Sequence, residues 1–148
     1  MKIKLMVSEA RYAAIAQELL SCGIEIDDDA ELVLSEANSF ADCFVGKRDG
    51  EHCRVFVEDI VYIESLAHEI LAHTCNGEYR MKERLWQWEK LLNPQEFLRI
   101  SNSVIIAKKK VVRIKPALSQ KFTLTLINGS QVDVTRSYYY MFKEQFGI

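Results

Sequence analysis

Glu64 stands four residues before His68, and Asp27-Asp28-Asp29 is a run of three carboxylates. These are the residues that could be drawn as acid–base or metal chemistry. Catalysis needs a nucleophile with its base, paired carboxylates, a phosphate-cradling glycine loop or a metal cluster. A four-residue spacing brings two side chains together on a helix. The residues around Glu64 read as strand and loop, where that spacing fixes no geometry. The three aspartates read as a solvated turn. None of the six glycines forms a dinucleotide or P-loop pattern, and no nucleophile-elbow pattern is present. Cys22, Cys43, Cys53 and Cys75 have no CxxC spacing and read as free or buried thiols of a reducing compartment. With His52, His68 and His73 they give no zinc-ligand spacing. The expectation is therefore a protein that is not an enzyme, with no cofactor, no metal and no small-molecule substrate.

Charge is informative through its distribution. The net charge is -2 over 148 residues. Residues 1–45 hold three basic and nine acidic side chains, whereas residues 99–148 hold nine basic and two acidic. A basic C-terminal region attached to an acidic N-terminal one is the asymmetry expected when one part alone meets phosphates. The competing reading of the same charges is a solvated basic surface with no partner.

The elements that must position any such site follow from periodicity. Residues 2–7 alternate as a strand. Ser8 caps a helix to about Cys22, with Tyr12, Ile15, Ala16, Leu19 and Leu20 on one stripe, and Gly23 stops it. A short strand over 31–35 completes a β-α-β-like module of residues 1–39. Beyond it, 43–46 and 53–57 flank a turn at Asp49-Gly50, and 60–63 is a compact apolar run. Residues 69–75 end in Asn76-Gly77, a tight-turn dipeptide. Residues 82–92 read as a helix with Leu85, Trp88 and Leu92 on one face. Trp86 and Trp88 are assigned to packing in preference to base stacking. Strands over 103–107 and 111–115, a hairpin of 122–126 with 131–134 across Asn128-Gly129, and a closing helix over 136–146 complete the chain. The expected fold is mainly β, α+β overall, with an antiparallel core and a peripheral helix in residues 40–148. Nothing reads as a helix-turn-helix, so loops would have to do any DNA reading. The N-terminus meets Ser8-Glu9 too early for a signal peptide, and no apolar run is long enough for a membrane span, so a cytoplasmic protein is expected.

Four segments then form a recognisable order. They are Asp59-Ile60-Val61-Tyr62-Ile63-Glu64, Phe97-Leu98-Arg99-Ile100-Ser101-Asn102-Ser103, the Asn128-Gly129 hairpin, and Thr135-Arg136-Ser137-Tyr138. This order and spacing resembles the LytTR family of bacterial DNA-binding domains over residues 40–148. It departs from the family at Ala107 or Lys108, where Asn is common, and at Thr135, where Ser is usual. The resemblance implies an elongated stack of small antiparallel sheets whose loops enter successive major grooves. It places the base-reading positions on His68, Asn102 and Arg136. Arginine can bond guanine O6 and N7 in bidentate fashion and asparagine can pair with adenine N6 and N7. A histidine can donate or accept at a base edge.

Ser101, Ser103 and Ser137 flank those positions and are candidates for phosphate contacts, as is Lys108 in the Lys108–Lys110 run, which reads equally as a solvated face. Arg99 is assigned either to that contact set or to holding its loop. The implied function is a transcriptional regulator whose partner is double-stranded DNA. The alternative is an interaction module that keeps the fold without binding DNA. Most members of the family carry a receiver domain. The Asp27–Asp29 run lacks a receiver's setting, since the module is short and the run does not follow a first strand. Residues 1–39 are instead expected to serve dimerisation or regulation, giving a homodimer, with a membrane protein as a further candidate regulator.

Overall fold

The computed structural model describes residues 1–37 and 40–148. The change of character expected at residues 39–40 touches Ser39, which lies outside the described residues. The chain divides into two compact units, Met1–Phe40 and Ala41–Ile148.

In the first unit, β1 (Lys2–Met6) is followed by α1 (Glu9–Ser21), β2 (Glu25–Ile26) and β3 (Leu32–Ser35). The sheet order is β2-β1-β3, all parallel, with Ile3 beside Ile26 and Leu32, and Leu5 beside Leu34. Sequence alternation missed β2 because it is two residues long. Ile3, Leu5 and Ala30 are buried, but α1 has no fully buried residue. Within its expected stripe, Ile15, Ala16 and Leu19 are half-buried, whereas Tyr12 and Leu20 are exposed. Ser8 precedes the helix but does not cap it through its side chain. Its backbone N–H and its hydroxyl instead donate to Glu36 Oε1, at 3.2 and 3.0 Å.

The second unit is mostly strand. Its larger sheet contains β4 (Cys43–Arg48), β5 (Glu51–Phe56), β6 (Ile60–Leu66), β7 (Glu69–Thr74), β8 (Gly77–Met81), β9 (Phe97–Arg99) and β10 (Val104–Ala107), in the order β5-β4-β8-β7-β6-β10-β9 and antiparallel throughout. A smaller antiparallel sheet follows, from β11 (Val111–Ala117), β12 (Lys121–Leu126) and β13 (Gln131–Val134). The helices are α2 (Leu85–Leu91) and α3 (Tyr139–Phe146), the latter entered through a 3-10 turn at Arg136–Tyr138. Among the described residues no helix is long and apolar enough to cross a membrane.

The buried apolar runs explain how the ends of β6 and β10 are fixed. Val61, Tyr62, Val104 and Ile106 join Leu98, Ile100, Phe122, Leu124, Leu126, Val132, Val134 and Phe142 in one core between the two sheets and α3. The intervening Ile63 and Ile105 are buried as well, and α2 packs on β6, β9 and β10. Both faces of these strands are therefore covered, which is why 60–63 and 104–107 read as unbroken apolar runs. Each such side chain contributes roughly 1.5–3 kcal/mol on burial.

The helix expected over 82–92 is shorter, Leu85–Leu91, and is preceded by β8, whose last residue Met81 pairs with Ile70. The chain then turns at Lys82–Arg84, where Glu83 O accepts the Trp88 indole N–H at 3.2 Å and Arg84 N–H donates to Gln87 Oε1. Trp88 is fully buried against Phe44, with ring centroids 4.1 Å apart, as its packing assignment requires.

Candidate nucleic-acid interface

Because β6 and β10 are antiparallel, with Val104 opposite Glu64, the turn that follows β6 and the loop that precedes β10 lie at one end of the sheet. The β6–β7 turn is the two-residue Ala67-His68 loop between the paired Leu66 and Glu69. Ala67 has φ 49° and His68 φ 67°. Two successive left-handed residues are the geometry of a two-residue hairpin, normally supplied by Asn-Gly or Asp-Gly. Holding two L-residues there costs roughly 1–2 kcal/mol each. The His68 side chain is exposed, and its carbonyl accepts from Arg84 Nη1 at 3.4 Å.

The loop after β9 is built around Arg99. Its Nε donates to Ser101 O at 3.0 Å, its Nη2 to Asn102 O at 2.7 Å, and its Nη1 to Glu89 Oε1 on α2. Of the two roles open to Arg99, the contacts within the protein are those of a residue that holds the loop. Ser101 is buried. Its hydroxyl accepts from the Ser103 N–H at 3.2 Å and lies 3.3 Å from the Ser103 hydroxyl. Asn102 and Ser103 are exposed at the loop's tip. Ser65 N–H donates to Ser103 O at 2.8 Å, which joins this loop to the end of β6.

The third segment reaches the same end. Thr135 N–H donates to Ile100 O at 3.0 Å, and the Tyr138 hydroxyl donates to Asn102 Oδ1 at 3.3 Å. The 3-10 turn that carries Arg136 and Ser137 is thereby tied to the Asn102 loop. Both of these side chains are exposed, and Arg136 enters no ion pair among the described residues. Glu69, which follows the first turn, is paired with Arg80 at 3.2 Å, and Glu89 with Arg99 of the second loop. The end therefore presents hydrogen-bonding side chains and an uncompensated guanidinium.

His68, Asn102, Arg136, Ser103 and Ser137 are thus brought to one end of the unit, exposed. Ser101 is at the same end but buried, its hydroxyl committed to the loop. Lys108 is not there. It follows β10, at the end opposite Asn102, and its Nζ donates to Gln145 Oε1 at 2.6 Å. Glu64 does pair with a histidine, but with His73, at 2.7 Å from Nε2. The His73 ring stacks on Tyr62 at 4.1 Å with Glu78 Oε2 3.5 Å from Nδ1. Burial raises the Tyr62 phenol above its usual range, opposed by a hydrogen bond with the Ser130 side chain. Tyr138 was not singled out from the sequence as a functional residue. Its only signal there is its place in the Thr-Arg-Ser-Tyr segment.

Residues 50–147 match the family model of the LytTr DNA-binding domain. The transcriptional regulatory protein LytR of Staphylococcus aureus is 36% identical over 76 residues, covering 51% of this chain and 31% of LytR. The chain thus spans about a third of that relative. An HTH-type transcriptional regulator of Staphylococcus aureus is 25% identical over 126 residues, 84% of this chain and 85% of that protein. Among the described residues no two α-helices follow one another without an intervening strand, so no helix-turn-helix is seen here. The LytTr DNA-binding domain of a putative methyl-accepting/DNA response regulator from Bacillus cereus shares the fold, with a TM-score of 0.70 at 23% identity over 73% of this chain and 99% of that one. The family is one of DNA-binding regulator domains and not of enzymes. With the mainly β, antiparallel architecture and the matched region agreeing, this chain belongs to the LytTR family, and residues 50–147 are its LytTr DNA-binding domain.

Proposed function

We propose that the chain is a sequence-specific transcriptional regulator that reads duplex DNA in the major groove with His68, Asn102 and Arg136. The observation that carries this reading is the convergence of three separate turns, linked through Ser65–Ser103, Thr135–Ile100 and Tyr138–Asn102, on one exposed end of a rigid double-faced core. Exposed Ser103 and Ser137 would bond phosphates and set register, while the three longer side chains reach base edges. The test is selection of bound duplexes from a random pool, followed by a salt titration. Specific binding weakens steeply with salt as phosphate contacts release counterions. Arg136→Ala is expected to cost about 1–3 kcal/mol on the selected site and to relax preference at one base pair. Equal loss on every duplex would reduce Arg136 to a backbone contact. Absence of any duplex binding would favour the interaction-module alternative.

In the same reading, Met1–Phe40 makes the protein a homodimer. The support is the incomplete cover of its own apolar residues, with Leu32 and Leu34 on edge strand β3 at 54% and 41% exposure. Sedimentation velocity of the full chain against its Leu34→Asp variant tests this, and an unchanged sedimentation coefficient counts against it.

A further inference from the structure

The β11–β12 hairpin tip has features that the three reading turns do not use. Leu118 is 91% exposed, the most exposed of the large apolar side chains described. It is followed by Ser119 at φ 62° and Gln120 at φ 57°, two left-handed residues of which neither is glycine. Backbone held in this region away from glycine costs free energy and clusters at binding sites. The tip also touches α3, where the Gln120 side-chain amide donates to the Tyr140 hydroxyl at 3.0 Å.

Strand direction puts this tip at the same end of the small sheet as Arg136. Phe122 pairs with Val134 in the antiparallel β12–β13 ladder. Two residues further along, the chain reaches Gln120 on one side and Arg136 on the other. Lys121, exposed, points to the sheet face opposite buried Phe122 and pairs with Ala117, and Lys115 lies on that same outer face opposite Thr123. Residues 97–132 contain no acidic side chain. The outer face of this sheet carries Arg113, Lys115 and Lys121, together with Asp133, which accepts from the Thr123 hydroxyl at 3.0 Å.

We infer that this hairpin is a fourth DNA-contacting element, resting on the reading proposed above. Leu118 packs on a thymine methyl group in the base pairs flanking the one that Arg136 reads, and Lys121 meets the adjoining phosphate. An apolar side chain against the thymine C5-methyl is an established mode of base discrimination. A lysine beside it has the charge a phosphate requires.

The experiment uses the full chain and its selected duplex. The base pair assigned to Arg136 is the one at which Arg136→Ala relaxes preference. Thymines within three pairs of it are then replaced singly by uracil, which removes only the methyl group. Wild-type protein is expected to lose about fourfold in affinity at one of these positions, the worth of one buried methyl-sized group. Leu118→Ala is expected to bind the thymine and uracil duplexes equally. Lys121→Gln is expected to lower the salt-dependence slope by about one. Both sites are exposed, and unchanged Trp88 fluorescence confirms that the variants fold. If both variants keep wild-type uracil sensitivity and salt slope while Arg136→Ala still relaxes preference, this inference fails and the reading of DNA stands. If Leu118→Ala binds DNA as wild type but loses transcriptional activity, the tip meets a protein and the inference is likewise overturned. If wild-type protein binds no duplex, the underlying reading itself has failed.

Discussion

Removing the Arg99 guanidinium should damage the Asn102 loop far more than removing the charge of its partner. Arg99→Ala deletes donors to Ser101 O and Asn102 O, together with the ion pair to Glu89. Ser101 is buried, so a carbonyl left without its donor there costs roughly 1–3 kcal/mol. Asn102 is exposed, and water replaces much of what its carbonyl loses. The Glu89 side chain is 44% exposed, which limits the pair to about 0–1 kcal/mol. The expected total is about 2–4 kcal/mol for Arg99→Ala, against less than about 1 kcal/mol for Glu89→Gln. Both tryptophans lie in the second unit, and Trp88 is fully buried, so urea unfolding followed by tryptophan fluorescence reports this unit alone. At a slope of about 1–3 kcal/mol/M the midpoint should fall by roughly 1–2 M for Arg99→Ala and by much less for Glu89→Gln. Affinity for the selected duplex should fall further in Arg99→Ala, since Asn102 is no longer held. Equal destabilisation by the two variants would mean that the guanidinium acts through the carboxylate, and the account of the loop would be wrong.

Other consequences are as specific. Tyr138→Phe removes one exposed 3.3 Å hydrogen bond to Asn102 and should weaken specific DNA binding by about 0.5–1 kcal/mol. That loss should vanish in an Asn102→Ala background, which a double-mutant cycle by fluorescence anisotropy reads directly. Ala67→Gly relieves a left-handed residue and should raise stability by about 0.5–1 kcal/mol, visible as a higher urea midpoint, without moving the salt slope of DNA binding. In the first unit, the Ser8 backbone N–H, the Ser8 hydroxyl and Arg11 hold the Glu36 carboxyl below its usual range, and the Asp29 backbone N–H and Lys2 do the same for Asp27. Stabilisation from such groups is present above the unfolded value and is lost as pH falls through the lower folded one. Amides of α1 and β3 should therefore lose exchange protection below about pH 4 before those of β6 and β10, and Glu36→Gln should lower their protection already at neutral pH and weaken its dependence on pH.

Features with local causes were legible in the amino-acid order. The runs at 60–63 and 103–107 read as strands, and Asn128-Gly129 between alternating segments as a hairpin. The spacing of Phe97–Ser103 and Thr135–Tyr138 carried the family resemblance. That resemblance pointed to His68, Asn102 and Arg136, and all three are exposed. Features that depend on partners distant in sequence emerged from the folded arrangement alone. Strand β8 exists because Met81 and Arg80 have β7 to pair with, and the five residues from the Asn76-Gly77 turn towards the helix carry too short a pattern to declare a strand of their own. Glu64 bonds His73 rather than His68 because strand pairing, not helical spacing, makes them neighbours. Ser101 faces inward, Lys108 falls at the far end of β10, and Tyr138 reaches Asn102, 36 positions away. A period-2 pattern fixes which face a side chain takes, but not which strand lies beside it. That choice belongs to the packing of two sheets around one core.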